Sequence, residues 1–170
     1  QLLLIHELAF ILLVVLAGAA GVISIHLWDK SSQESQRINL LVQEIQQTRG
    51  DLYREMKELF DAFFLADLDA RNEYDAFTAS IEKHFLQLNK LAVGQEEQAA
   101  VKDLKDSYSA FVLETCSLFN RRPEISDESL RKTLNTDLES GIFKRYELVS
   151  ARAERLLTLK QLDLQRQLEN

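Results

Sequence analysis

Apolar positions along the chain follow two patterns, a continuous run near the start and a helical repeat after it. From Leu8 to Ile25 the only polar side chain is Ser24, and the run continues to Trp28, beyond which Asp29 and Lys30 end it. A run of this length meets the threshold of about 18 residues for a helix that crosses a membrane.

Three interpretations of this run are open: a cleaved signal peptide, a retained membrane span, and the core helix of a soluble domain. The segment Ala17-Gly18-Ala19-Ala20 is similar to a signal-peptidase site. However, no Lys or Arg precedes the run, and it continues past the alanines to Trp28, an aromatic residue suited to the membrane interface. The pattern therefore favours a retained transmembrane helix over residues 1–28.

The helical repeat follows Trp28 with no intervening glycine or proline. Apolar or nearly apolar residues recur in steps of three and four, the spacing of one helix face. They are Ile38, Leu41, Ile45, Thr48, Leu52, Met56, Leu59 and Phe63. The pattern predicts one helix over about 29–68 that continues directly from the span.

Three more helices are predicted on the same grounds. Stripes from Tyr74 to Leu91 and from Val101 to Leu118 predict helices over about 72–93 and 95–119, with Gly94 as the terminator between them. Ser126 is a suitable N-cap for a fourth helix over about 127–170. Its expected apolar stripe is Leu134, Leu138, Ile142, Val149, Leu156, Leu159 and Leu162.

These elements predict an all-α fold, an N-terminal transmembrane helix continuous with an up-down-up-down antiparallel four-helix bundle over 29–170. The first and fourth helices are each about 60 Å long and the middle two about 35 Å. We therefore expect the fourth helix to return to the membrane. The chain begins at Gln1 and ends in a polar helix, so we expect a longer protein with a second transmembrane helix shortly after Asn170.

The net charge and the cysteine content of the chain limit the partners and the covalent bonds that we expect. The net charge of −7 makes nucleic acid an unlikely partner, since nucleic-acid-binding surfaces are basic. Cys116 is the only cysteine, which excludes an intrachain disulfide, and we expect it to be a buried small residue. Thr115 is expected to be buried with its hydroxyl bonded to its own helix backbone.

The sequence shows no catalytic or metal-binding motif, and we expect no cofactor. His6, His26 and His84 are isolated, and His84 is interpreted as a packing residue at the bundle edge. The run containing Glu55, Lys57 and Glu58 is interpreted as a solvated helix face.

Two segments carry a family resemblance. The run DLDARNEYDAFTASIEKHFLQLNKL, Asp67 to Leu91, is similar to the second-helix region of the extracytoplasmic four-helix-bundle sensor domains of bacterial chemoreceptors and sensor histidine kinases. The run GQEEQAAVKDLKDSYSAF, Gly94 to Phe111, resembles the start of their third helix. The resemblance implies a homodimeric inner-membrane receptor with a periplasmic bundle, and with a HAMP linker and a kinase or adaptor-binding part beyond Asn170.

Amino-acid-binding members of that family carry spaced arginines on the first helix. Arg37, Arg49 and Arg54 do not clearly reproduce the spacing, so a carboxylate ligand is not indicated. The candidate recognition surface is instead a set of charged residues at the end of the bundle far from the membrane. Two interpretations of these residues are open, ordinary surface charge and a binding site. In the second, a small-molecule or protein ligand contacts Arg54, Lys144, Arg145, Arg71 and Arg121.

Three functions remain as alternatives. The favoured one is the sensor module of a two-component or chemotaxis receptor. The second is a membrane-anchored helical scaffold or assembly protein that senses no ligand. The third, a soluble ferritin-like enzyme or carrier, requires carboxylates and a Glu-x-x-His pair on the core faces, which the predicted stripes lack.

Overall fold

The structure is a computed structural model of the chain, and it describes residues 2–65, 69–121 and 126–169. All regular elements within those ranges are helical, which confirms the all-α prediction. The elements are α1 (Leu2–Phe60), a π-helical segment (Asp61–Leu65), α2 (Ala70–Leu91), α3 (Gly94–Arg121), α4 (Asp127–Lys132), a second π-helical segment (Thr133–Phe143) and α5 (Lys144–Glu169). The second helix, predicted to begin at about residue 72, begins at Ala70, and Asp67 and Leu68 lie outside the described residues.

Helix α1 runs unbroken from the apolar segment into the bundle. Within the described residues it is the one helix that is long and apolar enough to cross a membrane, and none of the described side chains of its apolar window is buried. Beyond that window, all eight residues of the predicted stripe from Ile38 to Phe63 are buried. The prediction of one helix that continues from the apolar run into the core is therefore confirmed.

Helices α2 and α3 bury the aromatic stripes that the sequence predicts, although Phe77 is only half-buried. The Tyr74 hydroxyl lies 2.6 Å from Thr115 Oγ1, and the rings of Phe85 and Tyr108 are 5.7 Å apart, so the two helices run in opposite directions. Their connection turns at Gly94, whose φ of 79° is a conformation that favours glycine.

Two predictions for neighbouring residues of α3 have opposite outcomes. Thr115 is fully buried and donates to the carbonyl of Phe111 at 3.1 Å, as predicted. Cys116 was expected to be buried and is exposed. The expectation was wrong because Cys116 lies one residue past the buried stripe, which rotates it out of the core.

The last three elements follow one another without a break from Asp127 to Glu169. Ser126 caps the start, accepting a hydrogen bond from the Ser129 amide at 3.3 Å, as predicted. Leu134 and Leu138 are buried, but the next buried residue is Phe143, a step of five, where a regular α-helix would bury a residue three or four positions on. The π-helical segment supplies this step, since each of its turns holds an extra residue.

The step of five makes the second half of the predicted stripe wrong. Ile142 and Val149 only flank the core, Leu156 is half-buried, and Leu159 and Leu162 are exposed. The residues that are buried instead are Phe143, Tyr146, Ser150, Ala153 and Leu157.

Helix α5 lies beside α1 and runs in the opposite direction. Arg49 pairs with Glu154 at 3.3 Å, and the Gln161 amide donates to Asn39 at 3.1 Å. Further along, Leu164 and Gln167 line a cleft of about 600 Å³ together with Leu27. The end of α5 is thus at the level where the exposed apolar segment of α1 finishes.

Candidate functional site

Four charged residues from three helices form an ion cluster near the apolar segment, here called the proximal ion cluster: Glu34 and Arg37 of α1, Glu97 of α3 and Lys160 of α5. Arg37 binds both carboxylate oxygens of Glu97, at 2.7 and 3.0 Å, the bidentate geometry that makes such pairs strong. Arg37 also donates to the carbonyl of Leu91 at 2.7 Å, so it holds the end of α2 as well.

Glu97 is the centre of the proximal ion cluster and is almost fully buried. The Val93 amide donates to it at 2.8 Å and Lys160 at 3.1 Å, in addition to Arg37. Burial alone would raise the pKa of Glu97, but these hydrogen bonds from Arg37, Val93 and Lys160 outweigh it and hold the pKa at about 2. The carboxylate is therefore ionised at every physiological pH.

A second polar site, here called the interior carboxyl site, lies further along α1 and has no cation. Its centre is Glu55, whose side chain is completely buried. Thr78 of α2 donates to Glu55 Oε1 at 2.5 Å, and the Tyr108 hydroxyl of α3 donates to the same oxygen at 3.3 Å. Glu55 Oε2 is buried with no hydrogen-bond partner.

Desolvation decides the proton affinity of this site. Burial raises the pKa of Glu55 to about 7, against the lowering effect of the nearby hydroxyl groups of Thr78, Tyr74 and Tyr108. Burial beside this carboxyl group also raises the pKa of Tyr74 and Tyr108, so both stay neutral donors. Glu97 and Glu55 are thus buried carboxyl groups with opposite pKa shifts, and the difference is the presence of cations around only one of them.

The interpretation of Glu55, Lys57 and Glu58 as a solvated face was wrong for both acids. Glu55 and Glu58 are buried, and only Lys57 reaches solvent, where it pairs with Glu58 at 2.8 Å. The spacing of Glu55 along the helix indicated burial, although the charged residues beside it suggested a solvent-exposed face. Glu55 lies three residues after Leu52 and four before Leu59, which places it on the core stripe.

His84 joins α2 to α1 on the bundle surface. Its Nδ1 lies 2.7 Å from Glu44, and its Nε2 lies 3.5 Å from Asp51, which also accepts from Ser80 at 2.6 Å. His84 thus lies between two carboxylates, and it forms one wall of a shallow groove of about 350 Å³.

The basic residues predicted to bind a ligand fall into separate groups. Arg54 pairs with Asp51 and lies over the Phe77 ring, on the side of α1 that faces α2. Arg71 pairs with Asp75 and lies 4.0 Å from the centre of the Phe119 ring on α3.

Arg121 ends α3, and its side chain lies outside the described residues. Lys144 and Arg145 are exposed at the start of α5. No described contact joins Arg54 to Lys144 or Arg145, and their role in ligand binding stays a prediction.

The described side chains include no group of three or more His, Cys, Asp or Glu residues arranged to hold a metal ion. The proximal ion cluster can keep a carboxylate ionised among cations, and the interior carboxyl site can bind a proton. In comparisons with known proteins, no family model, no curated protein and no solved structure matches this chain.

We predict that Glu97→Gln lowers the free energy of unfolding by about 3 kcal/mol at pH 7, because Arg37 and Lys160 lose a buried partner. The measurement is urea unfolding of the full chain in detergent, followed by circular dichroism. The control is Glu96→Gln, whose exposed carboxylate lies 3.6 Å from Lys160 and whose loss should cost less than about 1 kcal/mol.

The difference in the free energy of unfolding between wild type and Glu97→Gln has a defined pH dependence. The pKa of Glu97 is lowered from an ordinary value of 4.5 to about 2, so its stabilisation is complete above 4.5 and is lost as the pH falls towards 2. The difference between wild type and Glu97→Gln should therefore shrink between pH 4.5 and 2. A difference that stays constant over that range would contradict this assignment.

Proposed function

We propose that the chain is the input module of a bacterial transmembrane signalling receptor. A ligand or partner protein bound at the end of the bundle far from the apolar segment displaces α1 relative to α5. The displacement crosses the inner membrane along α1 to a kinase or chemotaxis output on the cytoplasmic side. In this proposal the bundle is periplasmic and its helices follow an up-down-up-down order.

The observation that carries the proposal is the continuity of α1 from the exposed apolar segment into the core. A helix without a break transmits a shift of its upper half to its lower half, and shifts of about 1–2 Å are a known way for receptors to signal. Helix α5 provides the second element, since its contacts with α1 extend from Tyr53 and Glu147 down to Asn39 and Gln161.

The distal end has features that suit recognition. Both π-helical segments, Asp61–Leu65 and Thr133–Phe143, lie at that end, and Arg131 beside one segment lies over the ring of Phe64 in the other. π-Helical turns are rare and are often found at functional sites. Arg71, whose guanidinium covers the Phe119 ring, presents a cation at the same end.

A second copy of the chain is the partner that the solvent face of α1 fits. Exposed positions in steps of three and four from Gln36 to Gln47 carry no charge, and they are Gln36, Leu40, Gln43 and Gln47. The next member of the series is Gly50, beside which a methyl group would meet nothing within 4 Å. An uncharged seven-residue repeat that permits close approach favours pairing of α1 with its own copy, as in a coiled coil.

The central experiment locks α1 to α5 in the full-length protein. Asn39→Cys with Gln161→Cys, in a Cys116→Ser background, replaces an amide contact of 3.1 Å by a disulfide. We expect oxidation to abolish stimulus-dependent output, measured as phosphoryl transfer from ATP in membrane vesicles, and reduction to restore it. The control pair is Glu82→Cys with Lys105→Cys, which joins α2 to α3 and leaves α1 free to move relative to α5.

The two outcomes separate the candidate functions. Output that responds to the α1–α5 lock and not to the control lock supports a sensor. A protein that transfers no phosphoryl group to itself or to a partner, and whose cellular role survives the lock, is instead a membrane-anchored scaffold.

The position of the bundle is tested with the native cysteine. Cys116 is exposed in the bundle, so a membrane-impermeant maleimide should label it in intact spheroplasts if the bundle is periplasmic. The control is Cys116→Ser, which should lose the label. Labelling that requires disruption of the membrane would place the bundle in the cytoplasm.

The homodimer is tested by cysteine cross-linking between copies. In a symmetric dimer, a residue near the two-fold axis contacts its own copy. Gln43→Cys, in the Cys116→Ser background, should therefore give a covalent dimer in oxidised membranes, whereas Lys102→Cys, exposed on α3, should not. Equal cross-linking at both positions would indicate random collision.

A further inference from the structure

Glu55 is placed where an ionised carboxylate is least stable. It lies on the core stripe of α1 and no part of it reaches water. Its hydrogen bonds from Thr78 and Tyr108 both go to Oε1, and Oε2 has none. That asymmetry fits a neutral carboxylic acid, in which one oxygen is a carbonyl that accepts and the other is a hydroxyl.

We infer that the carboxyl group of Glu55 is a proton-binding site, and that the proton is a stimulus to which this bundle responds. The inference rests on the proposed sensor function for its output, but the binding site itself does not. When Glu55 loses its proton, an uncompensated charge remains inside the bundle. The free energy of the protein then falls if the side chain moves towards water. Because Glu55 belongs to α1, that movement displaces the helix that leads to the apolar segment.

Polar and charged groups act on Glu55 from α1, α2, α3 and α5. On α1 itself the charged group with the largest effect on Glu55 is Asp51, which disfavours ionisation and is paired with Arg54 at 3.3 Å. Helix α2 contributes the hydroxyl groups of Tyr74 and Thr78, and α3 contributes that of Tyr108.

From α5 the group that feels the charge of Glu55 is the phenol of Tyr146. The described groups with the largest effects on Glu55 are hydroxyl groups and Asp51, and none of them is a cation.

The titration falls in the range of pH that a cell surface meets. Burial raises the pKa of Glu55 from an ordinary value of 4.5 to about 7. The folded protein therefore binds the proton more tightly than the unfolded chain does, so Glu55 destabilises the bundle progressively as the pH rises from 4.5 to 7. Above pH 7 the full cost of the buried charge is present.

The test compares the full chain in detergent as wild type, Glu55→Gln and Glu58→Gln. Glutamine keeps the shape of the neutral acid and does not titrate. The ratio of the unfolding constants of wild type and Glu55→Gln should rise about tenfold per pH unit between pH 5 and 7 and then level off. Glu58→Gln is the matched control, since Glu58 is a buried acid of the same helix whose carboxylate has Lys57 at 2.8 Å.

A third variant keeps the inference testable if Glu55→Gln does not fold. Thr78→Val removes the donor at 2.5 Å, which favours the charged form, so it should move the levelling-off point to higher pH. A buried-acid carbonyl band in the infrared spectrum, present at pH 5.5 and lost at pH 8.5 in wild type and absent in Glu55→Gln, gives a direct readout. A ratio that does not vary with pH, or a band that persists in Glu55→Gln, would overturn the assignment of the site.

The receptor output then separates this inference from the proposed function. We expect output in membrane vesicles to change between pH 6 and 8 in wild type and to be constant in Glu55→Gln. If Glu55 titrates but output ignores pH, the proton is not the stimulus, whereas the sensor function still stands or falls on the α1–α5 lock.

Discussion

The buried stripe from Ile38 to Phe63, along α1 and the first π-helical segment, is the constraint on which the rest of the structure depends. It is the surface against which α2 and α5 pack, and its far end meets α3 through the rings of Phe63 and Phe119. Because the same helix carries the exposed apolar segment, any rearrangement of the bundle core must move or bend α1. One helix thus carries both the core packing surface and the apolar segment. A change in the packing of that helix therefore also changes the position of the apolar segment.

Polar groups on this helix are accommodated in three different ways. Thr48 donates to the Glu44 carbonyl of its own helix, so it costs the core little. Arg37 meets Glu97 and Glu34, and the charges compensate one another where three helices converge. The described hydrogen-bond partners of Glu55 are hydroxyl groups, so its neutral form fits the packing better than its charged form. The Thr48 hydroxyl carries no charge and the charges around Arg37 stay paired, whereas the charge of Glu55 depends on pH.

Much of the fold was predictable because apolar spacing survives in the sequence wherever the helix is regular. The stripes of α1, α2 and α3 were found from steps of three and four, and Ser126 and Gly94 were recognised from capping chemistry. The predicted stripe of the last helix is wrong after Leu138, because a π-helical turn adds one residue and the apolar pattern of the sequence does not indicate it.

The interior carboxyl site was missed for a different reason. Glu55 was assigned to solvent because acids alternate with Lys57 there, although its spacing from Leu52 and Leu59 placed it in the core. Burial of a carboxyl group depends on the hydroxyl groups opposite it, which come from Thr78 and Tyr108 on other helices. Pairings between helices are what single-sequence spacing does not contain. The same holds for the bidentate pair of Arg37 and Glu97.

The two buried acids divide the molecule into a rigid end and a responsive end. Glu97 stays ionised down to a pKa of about 2, so the proximal ion cluster holds α1, α3 and α5 together throughout the range in which Glu55 titrates. A charge that appears at Glu55 therefore strains the part of the bundle between that cluster and the π-helical segments. Because the proximal end is fixed, the strain cannot be relieved by separation of the helices there. We infer that it is relieved by bending or tilting of α1 about the proximal ion cluster, a motion that a continuous helix carries towards the apolar segment.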